Sequence, residues 1–497
     1  MSATPDDGPD PVEVQIDGSA QSGEGVGRLP DGKAVVVGGT IPGERVQVQV
    51  QIDGFAHGGE GVGRLPDGKA VFVAGAIPGE RVQVRIDEQR KRWARGAAVA
   101  ILEASPHRIT PPCPYVPECG GCDLQHVDPD HQRVLKTRVV REQLQRLGRI
   151  DDPPVADCRA VGPDTRYRTS ARFHADRQGR LGFHRAGTHD VVPIDDCLVL
   201  SERPQALRRA VGDATGAAQV TVRGRARPDE PGVVVLEPGA GPLDVPDGDF
   251  DVAVVQRTAG TTSAPGEGDL DEAVVQRSAG TTSPAGEGDL GEVLPLRGDG
   301  VLTAEVAGFT YRFDAGCFFQ VNTGGAQAIV DEVLAAAGPV DGLHVWDLYA
   351  GVGLLSLPLA RAGGIVTAVE AHEASAQWCA RNADEYELDI LVVSVRTERL
   401  LRVARAGELL GGSDGVELDQ PDVVVLDPPR KGAGQDTVRD IAALAPARIV
   451  YVACDPAALA RDARVLTDHG YHLQHVVPLD LFPMTHHVEA VATFHRV

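Results

Sequence analysis

The chain has 497 residues, which is too long for one ordinary hydrophobic core and indicates two or three domains. Its formal net charge of −23 disfavours a general polyanion binder, because phosphate contacts supply most non-specific affinity for nucleic acids. No apolar run approaches the roughly 18 to 20 residues of a membrane span, and the acidic start does not resemble a basic leader. We therefore expect a cytoplasmic protein without a membrane partner or an obligate protein partner.

Two nearly identical segments open the chain, at residues 15–50 and 51–86. Each alternates short β-type runs with Gly, Pro and Asp turns, which is typical of a small barrel. Only the second copy continues into a further strand pattern, at residues 97–102. We predict a barrel at 51–106, a redundant, poorly ordered partial copy at 15–50 and a disordered tail at 1–14.

A cysteine-rich Pro/Gly loop follows the barrel pattern. Cys113, Cys119 and Cys122 have C-x5-C-x2-C spacing, and Cys197 is the candidate fourth ligand. In a chain with too few cysteines for a disulfide scaffold, tight spacing indicates a metal site, and spacing alone leaves zinc and an iron–sulfur cluster open. The cysteines without such neighbours are expected to be packing residues: Cys158, Cys317 and Cys379.

The middle of the chain combines basic segments with an acidic repeat. Residues 90–95, 133–149 and 166–185 are locally basic, and each is either an RNA-binding surface or a solvated face. Residues 253–272 are duplicated at 273–292 in a composition too polar to fold alone, which predicts a mobile acidic insertion at 249–292.

The last third of the chain alternates apolar strands with Ala-rich helices, which is typical of a doubly wound parallel sheet. A predicted strand leads into Gly351 and Gly353, and the next strand ends in Glu370, placed to accept hydrogen bonds from ribose hydroxyls. A lone G-x-G also serves plain helix packing, but this order of elements indicates a nucleoside cofactor. Ser356 replaces the third glycine of a dinucleotide fingerprint, which disfavours an NAD-dependent oxidoreductase. The loop, followed by Asp427-Pro428-Pro429, resembles the class I methyltransferases, which bind S-adenosylmethionine (SAM).

Cys454 ends a predicted buried strand, and the carboxyl ends of such strands face the ligand crevice. A lone cysteine is as often a buried packing residue. Beside a methyl donor, however, a thiolate that adds to C6 of uracil makes C5 nucleophilic, after which a base must remove the C5 proton. Glu489 is the best candidate for the base, with an exposed charge at a strand start as the alternative. His486 and His487 are expected to be loop or packing residues.

Together these residues make the chain resemble the RNA 5-methyluridine methyltransferases, in particular the branch with an N-terminal TRAM domain and a [4Fe-4S] cluster. The resemblance covers residues 51–497 and rests on the four cysteines, the Phe-Phe-Gln-Val-Asn run at 318–322, the Asp-Pro-Pro-Arg-Lys-Gly run at 427–432, Cys454 and Glu489. It implies an α/β, class I Rossmann-like SAM methyltransferase domain at 318–497. It also implies an OB-like TRAM barrel and a central α+β iron–sulfur domain at 107–317, of which residues 125–156 are expected to pack on the catalytic domain.

The resemblance also implies residue roles. Cys454 becomes the nucleophile and Glu489 the base. The [4Fe-4S] ligands become Cys113, Cys119, Cys122 and Cys197. SAM contacts are expected at Gln320, Tyr349, Gly351, Gly353, Leu354, Glu370 and Asp427. Ala350 and Leu354 depart from the family, which often has Cys and a polar residue at these positions.

We therefore expect an enzyme that methylates C5 of a uridine in structured RNA through a covalent cysteine–C6 adduct, with 23S rRNA as the substrate. One alternative is methylation of the T-loop uridine of tRNA. The other is a non-catalytic iron–sulfur RNA-binding protein, against which the intact pair of Cys454 and Glu489 argues.

Overall fold

The computed structural model describes residues 47–212, 216–226, 230, 232–239, 243–255, 293–410 and 415–497, and short strands at 16–19, 25–28, 34–37 and 274–277. The predicted tail at 1–14, and most of the predicted partial copy and acidic insertion, lie outside the described residues. Unit 1 of the chain comprises Met1–Pro114, Cys122–Leu135 and Met484–His486. Unit 2 comprises Tyr115–Gly121, Lys136–Pro483 and His487–Val497. In the described part of the chain, no helix is long and apolar enough to span a bilayer.

Unit 1 contains a closed five-stranded barrel, as predicted. Three strands precede it as a separate antiparallel sheet: β1 (Ile16–Ser19), β2 (Gly25–Arg28) and β3 (Ala34–Val37). The barrel strands are β4 (Gln47–Phe55), β5 (Gly61–Arg64), β6 (Ala70–Ala74), β7 (Arg81–Gln89) and β8 (Trp93–Glu103). Ile52, Val71 and Val82 are fully buried in the barrel core. Strand β4 begins at Gln47 rather than at residue 51, because the alternating pattern runs unbroken across the boundary of the repeat.

A mixed sheet forms the centre of the chain. The elements here are α1 (Pro129–Arg146), β9 (Arg159–Ala160), β10 (Ser170–Ala175), β11 (Leu181–His184), β12 (Val191–Pro193), α2 (Glu202–Val211), β13 (Ala217–Arg223), β14 (Val233–Pro238), β15 (Asp251–Val255), β16 (Val274–Arg277), β17 (Val293–Arg297), β18 (Val301–Val306) and β19 (Phe309–Asp314). The sheet has the order β12-β11-β10-β13-β14-β15-β17, and β18 and β19 form a hairpin. Phe173 and Val220 of the sheet pack with Leu207 of α2 in one apolar cluster.

The remaining elements, together with β9 and β16, build a nine-stranded sheet with helices. They are α3 (Thr323–Ala337), β20 (His344–Leu348), α4 (Ser356–Arg361), β21 (Ile365–Glu370), α5 (Glu373–Glu385), β22 (Ile390–Ser394), α6 (Thr397–Ala406), β23 (Val423–Leu426), α7 (Gln435–Ala443), β24 (Arg448–Ala453), α8 (Pro456–Asp468), β25 (Tyr471–Asp480) and β26 (Glu489–Arg496). The strand order is β16-β22-β21-β20-β23-β24-β26-β25-β9. Strands β22, β21, β20, β23 and β24 are parallel, and β26 lies antiparallel between β24 and β25.

Both faces of this sheet are buried, which explains its continuous apolar strands. Val345 and Val423 pack in one cluster with α3, α4 and α5, whereas Trp346 and Val424 pack in another with α6, α7 and α8. Val140 of α1 belongs to the second cluster, so this part of α1 packs on the nine-stranded sheet. The chain adds strands on one side of β20 and then returns to add β23 on the other. Such a switch point opens a ligand crevice at the carboxyl ends of the strands, and the predicted doubly wound α/β fold is confirmed.

Candidate active site

The loop after β20 lies at the switch point and turns tightly. Tyr349, Gly351 and Gly353 have φ angles of 66°, 55° and 95°, in the region that favours glycine. A Cβ atom on Gly353 would lie 2.6 Å from Cδ1 of Leu357 and 3.0 Å from Sγ of Cys379. A side chain at this position would therefore be strained and crowded, which favours glycine.

Glu370, at the end of β21, stabilises this loop through hydrogen bonds to its backbone. Its Oε2 accepts a hydrogen bond from the Gly351 amide at 2.9 Å, and its Oε1 accepts one from the His372 amide at 2.7 Å. Each carboxylate oxygen retains a second lone pair, so the group can also accept hydrogen bonds from ribose hydroxyls. The Leu354 carbonyl accepts a hydrogen bond from Tyr311 Oη at 3.1 Å, which fixes the loop backbone at that point.

Asp347 in β20 is a buried carboxyl group that sequence reasoning did not assign. Its Oδ2 accepts a hydrogen bond from Ser356 Oγ at 2.5 Å, while its Oδ1 has no hydrogen-bond partner among the described residues. Burial raises the pKa of Asp347 to about 7, and the charges of Asp427 and Glu370 add to this effect. An unsatisfied buried oxygen in a crevice is suited to a polar group of a ligand. In the sequence, an acidic residue within an otherwise apolar strand is the signal that could have indicated Asp347.

The loop after β23 follows the strand that lies on the other side of β20 from β21. The amide of Asp427 donates to the Leu348 carbonyl at 3.3 Å, and burial raises the pKa of the Asp427 carboxyl to about 7. Asp462 of α8, also not assigned from the sequence, supports this loop. Its Oδ2 accepts hydrogen bonds from the Ala433 amide at 2.9 Å and from Tyr451 Oη at 2.7 Å. In the sequence, an acidic residue on the apolar face of a predicted helix is the signal that could have indicated Asp462.

Gln320 lies just before α3 and is buried. Asn322 holds this segment, because its Oδ1 caps α3 at the Gly325 amide (3.1 Å) and its Nδ2 donates to the Leu481 carbonyl (2.8 Å). Gln320 also lines a cleft of about 280 Å³. Other residues lining this cleft are Thr169, Ser170, Arg223, Val321 and Thr323.

Cys454 and Glu489 meet through strand register. Ala453 of β24 pairs with Ala490 of β26, and the two strands run antiparallel. Cys454 follows Ala453 and Glu489 precedes Ala490, so the same register sets the thiol opposite the carboxyl group. Directly opposite residues of an antiparallel pair have Cα atoms roughly 4.5 to 5.5 Å apart.

The electrostatics of this pair are those of a buried acidic pocket. Burial raises the pKa of the half-buried Cys454 thiol to about 12, and the charges of Glu489 and Asp427 contribute to the increase. Glu489 is 2% exposed, and its Oε1 has no hydrogen-bond partner within the described part of the chain. Burial, together with Asp427, raises the pKa of Glu489 well above its ordinary value, whereas Arg430 opposes the shift. Such an excess of acidic groups favours a ligand that carries positive charge.

The predicted metal ligands are half-buried thiols rather than disulfides: Cys113, Cys119, Cys122 and Cys197. The Gly121 amide donates to Cys119 Sγ at 3.4 Å, and Cys119 and Cys197 pack on the same apolar cluster. Among the described residues, however, no three His, Cys, Asp or Glu side chains form a group that could hold a metal ion. The predicted cluster is therefore not confirmed. The three cysteines predicted to be packing residues are buried: Cys158, Cys317 and Cys379.

Comparisons with known proteins identify the family and the domains of the chain. A family model described as tRNA (uracil-5-)-methyltransferase matches residues 274–497, and a TRAM domain model matches residues 11–51 and 49–99. The chain is 34% identical to an uncharacterized RNA methyltransferase of Streptomyces avermitilis over 97% of each chain. It is 33% identical to the 23S rRNA (uracil(1939)-C(5))-methyltransferase of Pseudomonas putida, over 81% of this chain and 84% of that relative.

A solved structure is similar in fold. It is the tRNA (uracil-54, C5)-methyltransferase of Pyrococcus abyssi in complex with S-adenosyl-L-homocysteine. The TM-score is 0.63 at 23% sequence identity, and the match covers 90% of this chain and 99% of that chain.

Proposed function

The chain belongs to the RNA uracil-5 methyltransferase family, and from this premise we propose that it methylates C5 of a specific uridine in 23S rRNA through a covalent adduct on Cys454. The observation that carries the proposal is the register that sets Cys454 opposite Glu489 beside the switch point of the sheet. A thiol and a carboxyl group on either side of one base are the two groups that this chemistry requires.

We place SAM at the carboxyl ends of β20, β21 and β23. The proposed contacts are Gln320, Tyr349, Gly351, Gly353, Leu354, Glu370 and Asp427. The tight glycine turn and the unsatisfied Oδ1 of Asp347 fit a nucleoside ligand with polar groups. When bound, SAM supplies an electrophilic methyl group on a cationic sulfonium. Burial and acidic neighbours raise the pKa values of Cys454 and Glu489, and a positive charge beside them would favour their ionised forms.

In the proposed reaction, the Cys454 thiolate adds to C6 of the uracil. C5 of the resulting enolate then takes the methyl group from the sulfonium of SAM, whose S–CH3 bond breaks to release S-adenosylhomocysteine. The Glu489 carboxylate then removes the C5 proton, the C6–S bond breaks, and the thiolate is released. The target base must leave its stack, which costs a few kcal/mol. An OB-like barrel, which is suited to single-stranded nucleic acid, would hold the opened RNA.

We propose 23S rRNA rather than tRNA because of the sequence relationships. The relative that is 33% identical is named for 23S rRNA, whereas the tRNA enzyme shares 23% identity and supports the fold alone. An rRNA substrate would place the enzyme in the cytoplasm.

The direct test uses SAM with a labelled methyl group and two undermodified RNAs, 23S rRNA and tRNA, followed by mapping of 5-methyluridine. Label at one uridine of 23S rRNA supports the proposal, and label in tRNA alone would overturn the substrate assignment. In RNA containing 5-fluorouridine, a covalent protein–RNA adduct should form only when Cys454 is intact. Cys454→Ala should lower turnover by at least about 10⁴-fold while SAM binds within threefold of its normal affinity.

We also propose that Cys113, Cys119, Cys122 and Cys197 hold a [4Fe-4S] cluster, on the basis of their spacing and of the family resemblance. Half-buried thiols and an amide donor to Cys119 Sγ suit such a ligand set. Protein purified without oxygen should contain iron and acid-labile sulfide, and Cys122→Ser should remove the brown absorbance. Stoichiometric zinc without iron would refute this assignment.

A further inference from the structure

The loop between β25 and β26 leads directly into Glu489. Oε1 of Glu489 has no hydrogen-bond partner among the described residues. The position of the carboxyl group therefore depends on the backbone that carries it, namely residues 480–488. General-base catalysis requires the base to lie within hydrogen-bond reach of the proton. Contacts that fix the position of this backbone therefore also fix the position of the Glu489 carboxyl group.

Lys136 of α1 binds the start of the loop. Its Nζ lies 2.5 Å from Oδ1 of Asp480 and donates to the Phe482 carbonyl at 3.1 Å. Both charged side chains are 1% exposed. Asp480 directly follows Leu479, the residue that pairs with Glu489 across β25 and β26. Burying two charges is costly unless their geometry is well satisfied, so this pair holds its surroundings in one arrangement.

Gln132, one helical turn before Lys136 on α1, binds the middle of the loop. Its side chain is fully buried, and its Oε1 accepts a hydrogen bond from the Met484 amide at 2.8 Å. Its Nε2 donates to the carbonyls of Leu124 (3.1 Å) and Val127 (2.9 Å). The amide group thus joins the loop to the segment before α1, with both its donor and its acceptor in use.

Asp123 binds the last part of the loop. Its Oδ1 accepts a hydrogen bond from the His486 amide at 2.8 Å, and its Oδ2 bonds to Nδ1 of the same residue. The Met484 carbonyl accepts hydrogen bonds from the amides of Asp123 (3.2 Å) and Leu124 (3.0 Å). His486, predicted to be a loop or packing residue, is therefore an anchored loop residue. Every second residue from Asp480 to His486 is held, up to three residues before Glu489.

We propose that Asp123, Gln132 and Lys136 are positioning residues that fix Glu489 for removal of the C5 proton. The inference rests on the proposed function, in which Glu489 acts after methyl transfer. We call the contacts of these three residues with residues 480–486 the clamp. Loosening the clamp should slow proton removal more than thiolate addition or methyl transfer. The methylated covalent adduct should then accumulate, a result that a general loss of stability does not produce.

The experiment uses the full-length enzyme and RNA with natural uridine. For each variant, the fraction of enzyme trapped as a denaturant-stable, methyl-labelled RNA adduct is divided by its turnover rate. Glu489→Gln is the reference for a missing base. Gln132→Met and the double variant Lys136→Met/Asp480→Asn should raise this ratio at least tenfold over the wild type. The double variant removes both charges and so avoids leaving one buried and unpaired.

The matched control is an ion pair that does not contact residues 480–488, formed by the buried Glu80 and the partly exposed Arg108 in unit 1. Glu80→Gln/Arg108→Met should lower the melting temperature and leave the adduct-to-turnover ratio at the wild-type value. SAM affinity within threefold of wild type identifies folded protein, and if one clamp variant does not fold, the other decides.

The two failures are distinguishable. If Glu489→Gln itself traps no adduct, the assignment of the base fails and with it the proposed function. If Glu489→Gln traps adduct but folded clamp variants lose adduct and turnover together, the positioning role is wrong.

Discussion

The parallel strands and the antiparallel edge of the nine-stranded sheet contribute to the active site in different ways. The parallel strands β20, β21 and β23 contribute loops. The backbone turns at Gly351 and Gly353, and the Glu370 carboxylate accepts a hydrogen bond from the Gly351 amide. The antiparallel strands β24 and β26 contribute register, which sets Cys454 opposite Glu489. In the proposed site, SAM binding thus depends on loops, and the methylation chemistry depends on strand pairing.

This difference has a physical consequence. A loop that binds a ligand through several backbone groups can adjust to the loss of one contact, because the loop has conformational freedom. Strand register changes only in whole residues, and each step turns a side chain to the other face of the sheet. Substitutions at the proposed catalytic pair, Cys454 and Glu489, should therefore lower activity more than equivalent substitutions in the proposed SAM-binding loops.

The sharpest test makes the same substitution in both regions. Glu489→Asp shortens the base by one methylene group while the register keeps its Cα in place, so turnover should fall by roughly 10²-fold with unchanged SAM affinity. Glu370→Asp should weaken SAM binding by about tenfold or less and leave the rate at saturating SAM nearly unchanged. Steady-state kinetics and SAM titration measure both. A larger loss of rate in Glu370→Asp would contradict the comparison.

A second test concerns the steric limit of the glycine loop. Gly353→Ala forces a Cβ atom toward Leu357 and Cys379 at positive φ, so we expect a loss of about 1–3 kcal/mol in unfolding free energy and weaker SAM binding. Gly407 also has a positive φ, of 66°, but a Cβ atom there meets nothing within 4 Å. Gly407→Ala should cost about 1–2 kcal/mol from backbone strain and leave SAM binding intact. Equal SAM affinities in the two variants would show that the loop is not sterically limited.

The smallest expected effect is a pH dependence of stability. Because the folded-state pKa of Asp347 is raised to about 7, the folded protein binds this proton more tightly than the unfolded chain does. This stabilisation is fully present below the unfolded-state pKa, of about 3.9, and is lost as the pH rises through about 7. Asp347→Asn, which cannot ionise, should therefore gain a few degrees of melting temperature over wild type between pH 5 and pH 8 without SAM. A constant difference between the two proteins across this range would refute the raised pKa.

Much of the site could be predicted from the chain because its signals are local. The glycine loop after an apolar strand, the acid at the end of the next strand and the cysteine at a strand end each lie within a short window of sequence. Strand ends converge at one edge of a parallel sheet, so these patterns predicted a ligand crevice there without coordinates. The alternation of short strands and turns likewise indicated the barrel.

Other features depend on contacts between distant residues, for which a sequence pattern carries no signal. The Met484 amide and Gln132 are 352 residues apart, and Lys136 and Asp480 are 344 apart. Asp347 and Asp462 are acids within apolar elements, and only their burial distinguishes them from surface charges. Local periodicity thus determined which elements form and where their ends lie. Strand order and register decided which side chains meet, because these follow from packing the whole sheet at once.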